Sequence, residues 1–187
     1  MGTTTTASEA TLRDERQEDA AAIAVLVAAA FDGAPHASGA EAALVGALRR
    51  AGALTLSLVA ESGGALVGLL VGHVAFSPVR IGGAASNWHG LGPVAVRPDR
   101  QRGGIGTALV RAGLERLRAL GSGGCVVLGD PGFYGRLGFR PDPRLWLEGV
   151  PPEYFQALAF SAGTPEGAVT YHPAFDATAP EREPPPR

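Results

Sequence analysis

Apolar positions recur along this chain with two spacings, one near 3.6 residues and one of 2, and their alternation predicts a mixture of helices and strands. Thr11-Leu12-Arg13 reads as a short first strand. A helix is predicted over about Glu18 to Phe31, where Ile23, Leu26, Val27 and Ala30 fall on one face, and a second over about Gly39 to Arg50, marked by Leu44, Val45 and Leu48. Leu54 to Ala60 and Ala65 to Phe76 are rich in Val and Leu, and Glu61-Ser62-Gly63-Gly64 between them predicts the turn of an antiparallel pair. Trp88 to Val96 reads as another strand, interrupted by Gly90, Gly92 and Pro93. Proline has no N–H to give a sheet ladder, so a bulge or a local loss of pairing is expected near Pro93.

The strongest helical pattern runs from about Gly104 to Leu120. Ile105, Leu109, Ala112, Leu117 and Leu120 are spaced for a buried stripe, with Arg111, Glu115, Arg116 and Arg118 mostly outside, and Gly121 is placed to cap the end. Cys125-Val126-Val127-Leu128 is a short buried strand, Pro131 to Leu137 a short helix begun by proline, and Phe139 starts the next extended segment. Phe155 to Phe160 and Ala168 to Tyr171 are the remaining strand candidates. No internal repeat is visible. Residues before about Thr11 and after about Asp176 lack apolar periodicity, so one folded domain is expected over 10–175, with poorly ordered tails at 1–9 and 176–187.

Composition narrows the classes open to such a domain. The 187 residues are 45% hydrophobic and 18% charged, enough for one buried core. A formal net charge of -2 and a pI near 6.1 argue against general binding to nucleic acid or an anionic membrane, so any anion is expected to be held locally. All 16 basic residues are arginine, a bias read as one of genome composition. The lone Cys125 excludes an intramolecular disulfide, and with four scattered histidines it leaves no zinc spacing, so no metal is expected. The apolar run Ala20 to Phe31 is too short to cross a bilayer and no signal peptide is recognised, which favours the cytoplasm.

One loop carries candidate chemistry. Gln101-Arg102-Gly103-Gly104-Ile105-Gly106 follows a strand-like run and opens the strong helix. Missing Cβ atoms let an anion approach the backbone there, and a helix start offers unpaired N–H groups at the positive end of its dipole. The plain alternative is a tight turn into a helix. The loop lacks the Lys-Ser/Thr of a nucleoside-triphosphate loop, and Leu109 stands where a dinucleotide fingerprint has its third glycine.

What remains resembles the acetyl-CoA signature Gln/Arg-x-x-Gly-x-Gly/Ala of the GNAT N-acetyltransferases, with Gln101, Gly104 and Gly106 at its defining positions. The family's second signature, Tyr-x-x-x-Gly-Phe, is matched by Tyr134-Gly135-Arg136-Leu137-Gly138-Phe139. Leu-Val-Ala-Glu (58–61), Leu-Gly-Pro-Val-Ala-Val (91–96), Val-Leu-Gly-Asp-Pro (127–131) and Tyr-His-Pro-Ala-Phe (171–175) extend the likeness to the YhbS-type bacterial subgroup, over nearly the whole chain except the tails. The resemblance implies a single-domain α/β (α+β) fold: a mixed, mostly antiparallel, twisted sheet flanked by helices, with a V-shaped split where the strand of Val94 to Val96 parts from that of Cys125 to Leu128.

The resemblance also implies roles. The pantetheine arm of acetyl-CoA is expected beside Val94, Ala95 and Val96. The pyrophosphate is expected on the N–H groups of Arg102, Gly103, Gly104, Ile105 and Gly106, with Thr107 adding a hydroxyl and Arg100 and Arg102 as candidate charges. Tyr134 is the candidate acid for the departing thiolate, because a phenol with a pKa near 10 stays protonated at neutral pH. Many relatives use a glutamate base on the split strand, whereas Trp88-His89-Gly90-Leu91-Gly92 offers no carboxylate; His89, directly or through water, is the candidate base. Asp130 stands where relatives often have asparagine and is read as a cap before Pro131. Cys125, in an apolar run, is not expected to be a nucleophile. The helices before Arg50, with His36 in their connecting loop, are where related enzymes contact the acceptor.

Two functions follow as expectations: transfer of acetyl from acetyl-CoA to a primary amine in a direct ternary complex, or an acyl-CoA-binding regulatory or structural module with little turnover. The expected partners are acetyl-CoA and an amine acceptor, not nucleic acid or membrane. The sequence names no particular amine, and a homodimer is left open.

Overall fold

The Val- and Leu-rich middle of the chain forms strands because β-branched and apolar side chains suit a pleated surface buried on both faces. The computed structural model describes residues 10–33, 39–63 and 68–177. β1 (Ala10–Asp14), β2 (Leu56–Ser62), β3 (Leu69–Ile81), β4 (Ala84–Val96) and β5 (Gly124–Leu128) lie side by side, and β7 (Phe155–Ala159) follows β5 at the far edge. All neighbours on this path are antiparallel except β4 and β5. β8 (Gly167–Thr170) pairs with the end of β3 and carries β6 (Leu145–Trp146), completing a mixed, mostly antiparallel sheet of eight strands.

β3 and β4 are longer than the sequence pattern indicates. They continue through Ser77–Ile81 and Ala84–Asn87 to a two-residue turn, Gly82-Gly83, in which both glycines have positive φ, of 59° and 78°. Such a turn suits the twist of a hairpin and is open to glycine without steric cost. β6 is also absent from the sequence reading, since two residues are too few to show a period. The hairpin turn predicted after β2 falls partly at 64–67, outside the described residues, as do His36 and most of both predicted tails; the last helix runs on to Ala177, past the predicted domain end.

The sheet separates two apolar layers. On one face lies α3 (Ile105–Ala119), whose Ile105, Leu109, Val110, Leu114 and Leu117 are buried against Leu58, Val74, Phe76, Cys125 and Val127. Each such burial is worth roughly 2 kcal/mol. Gly72 and Gly113 let the helix come close: a Cβ on Gly72 would stand 2.8 Å from Ile105 Cγ2, and one on Gly113 would stand 2.2 Å from Phe76 Cε2. The predicted stripe is corrected at its end, because Leu120 is 63% exposed where the helix has already stopped at Ala119. On the opposite face α1 (Ala20–Phe31) and α2 (Glu41–Arg50) cover Val59, Leu70 and Ala95, and a further cluster around Val79, Trp88, Val126 and Val169 lies under the C-terminal strands.

The split lies at the interruption the sequence marks. β4 and β5 pair from Trp88 and Gly124 up to Leu91 and Val127 and no further. On the other side of β4 the register with β3 shifts between Val74 and Phe76, leaving Gly92 and Pro93 opposite the single residue Ala75. This is the expected bulge, and beyond it Val94, Ala95 and Val96 keep β3 as a neighbour while their other edge has lost β5.

Candidate active site

The open edge of β4 leads straight into the glycine loop. Gln101 turns back and donates its Nε2 to the carbonyl of Val96 over 3.2 Å, tying the loop to the strand. Arg102 and Gly104 both take left-handed backbone, with φ of 63° and 87°, and Gly104 is the residue that starts α3. Only glycine adopts that region without cost. Among the described residues, the N–H groups of Arg102, Gly103, Gly104, Ile105, Gly106 and Thr107 donate to no backbone carbonyl; the first helical bond is from Ala108 to Gly104. A row of free donors at the positive end of a 15-residue helix favours an anion. Gly106 has Val96 Cγ2 3.5 Å and Phe133 Cζ 3.8 Å from where its Cβ would be, so the loop, the open strand and the next helix converge there.

That next helix is α4 (Pro131–Tyr134). Asp130 caps it, its carboxylate accepting from Gly132 N at 2.8 Å, as the sequence suggests. One short turn later the chain has placed Tyr134 against the end of β5. Its ring lies over Gly129, whose Cβ would be 2.5 Å from Tyr134 Cε2, and packs edge-on against Phe133 and Phe139 at centroid distances of 4.9 and 5.8 Å. Burial, reinforced by Cys125 and Asp130 nearby, pushes the phenol above its ordinary pKa, which keeps it protonated. Its hydroxyl has no protein partner among the described residues.

Gly129 is itself held from two sides. Its N–H donates to the carbonyl of Tyr154 at 3.0 Å, and its carbonyl accepts from Nε2 of the buried Gln156 at 3.2 Å. Sequence reasoning missed Gln156, because a glutamine in a strand pattern gives no sign that it will point inward.

The structure brings Val94–Val96, Gln101–Thr107 and Tyr134 together, and it does not bring His89 to them. His89 lies opposite Cys125 in the β4–β5 ladder, below the split, and its Nδ1 sits 2.9 Å from Ser122 Oγ. Ser122 follows the C-terminal end of α3, about 22 Å along the helix from the glycine loop. Burial also lowers the pKa of His89. The physical reason for this correction is register: the bulge lies three residues beyond His89, so the strand has not yet opened where its side chain leaves it. Cys125 is fully buried, and burial pushes its thiol up, away from a nucleophilic role. Arg97 is occupied by Asp99 at 2.6 and 2.7 Å, whereas Arg102 makes no ion pair among the described residues.

A second polar group lies inside the sheet. Glu15, Arg49, Ser57 and His73 form a network under α2, with Glu15 bonded to Arg49 and Ser57, and Ser57 Oγ 2.9 Å from His73 Nε2. His73 is fully buried, and burial lowers its pKa to about 4 against the opposing pull of Glu15.

Comparison with known proteins agrees with this geometry. Residues 12–139 match the acetyltransferase (GNAT) family. The chain is 41% identical over 129 residues to the uncharacterized N-acetyltransferase YhbS of Escherichia coli K12, covering 69% of this chain and 72% of that protein. Its fold superposes on a GNAT family acetyltransferase from Brucella melitensis solved with acetyl-CoA, with a TM-score of 0.79, 49% identity and coverage of 89% of this chain and 98% of that one. It superposes likewise on E. coli YhbS solved with CoA, with a TM-score of 0.82, 35% identity and coverage of 94% and 96%. With two thirds of its length matched and a split sheet, glycine loop and tyrosine arranged as described, this chain belongs to the GNAT family of acetyltransferases.

Proposed function

We propose that this protein transfers the acetyl group of acetyl-CoA to a primary amine of a small molecule or peptide, by direct attack in a ternary complex. The observation that carries the reading is the position of Tyr134, a protonated phenol without a protein partner, at the mouth of a split whose other wall leads into six unpaired N–H groups. The loop would hold the pyrophosphate of the donor and Thr107 would add a hydroxyl. The free edge of Val94 to Val96 would take the pantetheine amides as a strand takes a neighbour. This places the thioester where Tyr134 can protonate the departing sulfur. The Brucella and E. coli relatives, solved with acetyl-CoA and CoA, support the choice of donor.

A second reading, an acyl-CoA-binding module with little turnover, is favoured by one observation: residues 88–92 supply no carboxylate and His89 is engaged by Ser122. Thermal unfolding with and without acetyl-CoA tests both, since ligand at about 100 times its Kd adds about 2.7 kcal/mol. No shift would overturn both readings. Thiol release measured over primary amines, polyamines, aminoglycosides and peptide N-termini then separates them. Under the enzyme reading Tyr134→Phe keeps acetyl-CoA affinity and lowers kcat by about 10²-fold; absence of turnover in the unaltered protein with every amine would favour the module.

A further inference from the structure

The split presents different surfaces on the two faces of the sheet. Strand alternation sends Cys125 and Val127 to the α3 side, and Val126 and Leu128 to the other, where Phe155, the partner of Leu128 across the β5–β7 ladder, lies buried with Val126. On the α3 side the end of β5 is occupied by Tyr134, packed against Phe133 and Phe139. On the opposite side it is uncovered. Leu128, the last residue of β5, is 49% exposed there. On the facing strand Gly92 has, among the described residues, nothing within 4 Å of where a Cβ would be. The pairing of β4 with β5 stops one step before these two, at Leu91 and Val127. Two residues earlier on β4 the same kind of notch is filled, because a Cβ on Gly90 would stand 2.4 Å from Tyr171 Cε1, and Phe175 backs that ring at 4.7 Å. Tyr171 thus closes the notch at Gly90 with an aromatic ring and leaves the one at Gly92 open beside an exposed leucine.

This uncovered side is apolar and poor in groups that could deprotonate an amine. Neither β4 nor β5 carries a carboxylate. Asp130, just past β5, caps α4, His89 is turned to Ser122, and Tyr134 is held protonated. Glu153, on the turn before β7, is exposed to water. An amine attacks through its lone pair, so without a base beside the split it has to arrive unprotonated. At pH 7.5 an alkylamine of pKa about 10.4 is neutral in about one molecule in 10³, whereas an α-amine of pKa near 8 is neutral in about one in four.

We propose that the acceptor is a weakly basic primary amine on a carbon that also bears an apolar group, and that this group rests against Leu128 in the open notch at Gly92. The inference rests on the acetyltransferase reading above and names the class of its acceptor. An α-amine beside an amide carbonyl, with a branched aliphatic side chain, meets both requirements. The neutral nitrogen forms its bond to the thioester carbon from the face opposite α3, and the C–S bond breaks as Tyr134 gives its proton to sulfur. The surplus N–H proton leaves to water, from which Tyr134 regains one, so no carboxylate on β4 is needed.

Three acceptors separate the two requirements when thiol release from acetyl-CoA is followed. Leucinamide and 3-methylbutylamine share an apolar group and differ in basicity, whereas leucinamide and glycinamide share the amine and differ in the apolar group. At pH 7.5 kcat/KM is expected to be about 10-fold or more higher for leucinamide than for 3-methylbutylamine, and about 5-fold higher than for glycinamide. As pH rises, the leucinamide rate should level off near pH 8 while that of 3-methylbutylamine keeps climbing about tenfold per unit, because its free base is still forming. Leu128→Ala should remove most of the preference over glycinamide with the acetyl-CoA Kd and the Tm unchanged, and Glu153→Gln should alter neither rate. A peptide beginning with leucine distinguishes the sources: it outruns leucinamide if the acceptor is a chain N-terminus and falls behind if it is a small molecule, and either result upholds the class. Equal rates for leucinamide and 3-methylbutylamine at pH 7.5, equal rates for leucinamide and glycinamide, a preference that survives Leu128→Ala, or a large loss in Glu153→Gln would each overturn the inference and leave acetyl transfer standing. An unaltered protein that binds acetyl-CoA but releases no thiol with any amine would overturn the acetyltransferase reading, and this inference with it.

Discussion

Gln156 donates its side-chain amide to the carbonyl of Gly129 over 3.2 Å, and the ring of Tyr134 rests on that same glycine. A strand residue thus fixes the height at which the proposed acid stands. The donor is buried and the bond part-buried, so removing it costs about 1 kcal/mol. Gln156→Ala is expected to lower kcat about 10-fold through a displaced Tyr134 while the acetyl-CoA Kd changes less than 2-fold, because the glycine loop is on another element. Equal losses in kcat and in cofactor affinity would show instead that the whole site had loosened.

Gly104 is the position where the proposed cofactor loop depends on backbone alone. With φ at 87°, an added Cβ costs about 1–2 kcal/mol, or a rearranged loop. Gly104→Ala should weaken acetyl-CoA binding on the order of 10-fold in a calorimetric titration, with little effect on kcat at saturation. An unchanged Kd would mean that these N–H groups do not read the pyrophosphate.

Gly113 makes the opposite case, a helical glycine whose conformation any residue adopts. Alanine there would gain up to about 1 kcal/mol of helix propensity, yet its methyl would stand 2.2 Å from Phe76 Cε2. Overpacking of about 1–3 kcal/mol outweighs the gain. Gly113→Ala is expected to lower Tm by a few degrees, and adding Phe76→Leu should recover part of the loss; a raised Tm would show that α3 can lift from the sheet freely.

Acid should unfold the protein partly through His73. Its pKa in the fold is about 4, below the unfolded value near 6.5, so as pH falls the unfolded chain takes up the proton first. The stabilisation is therefore complete above pH 6.5 and is lost as pH drops from 6.5 toward 4, amounting to about 2 kcal/mol by pH 5. Glu15, kept ionised by Arg49 and Ser57 against the opposing effect of burial, acts in the same direction at lower pH. Urea midpoints at pH 7.5 and 5 measure the slope, and His73→Gln should flatten it between those values.

The glycine loop, Tyr134 and the Pro93 interruption were legible because each rests on local chemistry. A missing Cβ, a missing N–H and a phenol in a recurring motif carry their meaning wherever the chain goes, and the periodicity of α3 sets its buried face apart from a misplaced final Leu120. The sequence by itself determined α1, α2 and α3, most of the strands, the glycine loop and the family. Only the tertiary structure decided that His89 faces Ser122 and not the split, that Gln156 points inward to Gly129, and that Tyr171 fills the notch at Gly90. These depend on strand register and on contacts between residues 27 to 81 positions apart, and a period of 2 tells which residues share a face without telling what a partner strand will place against them.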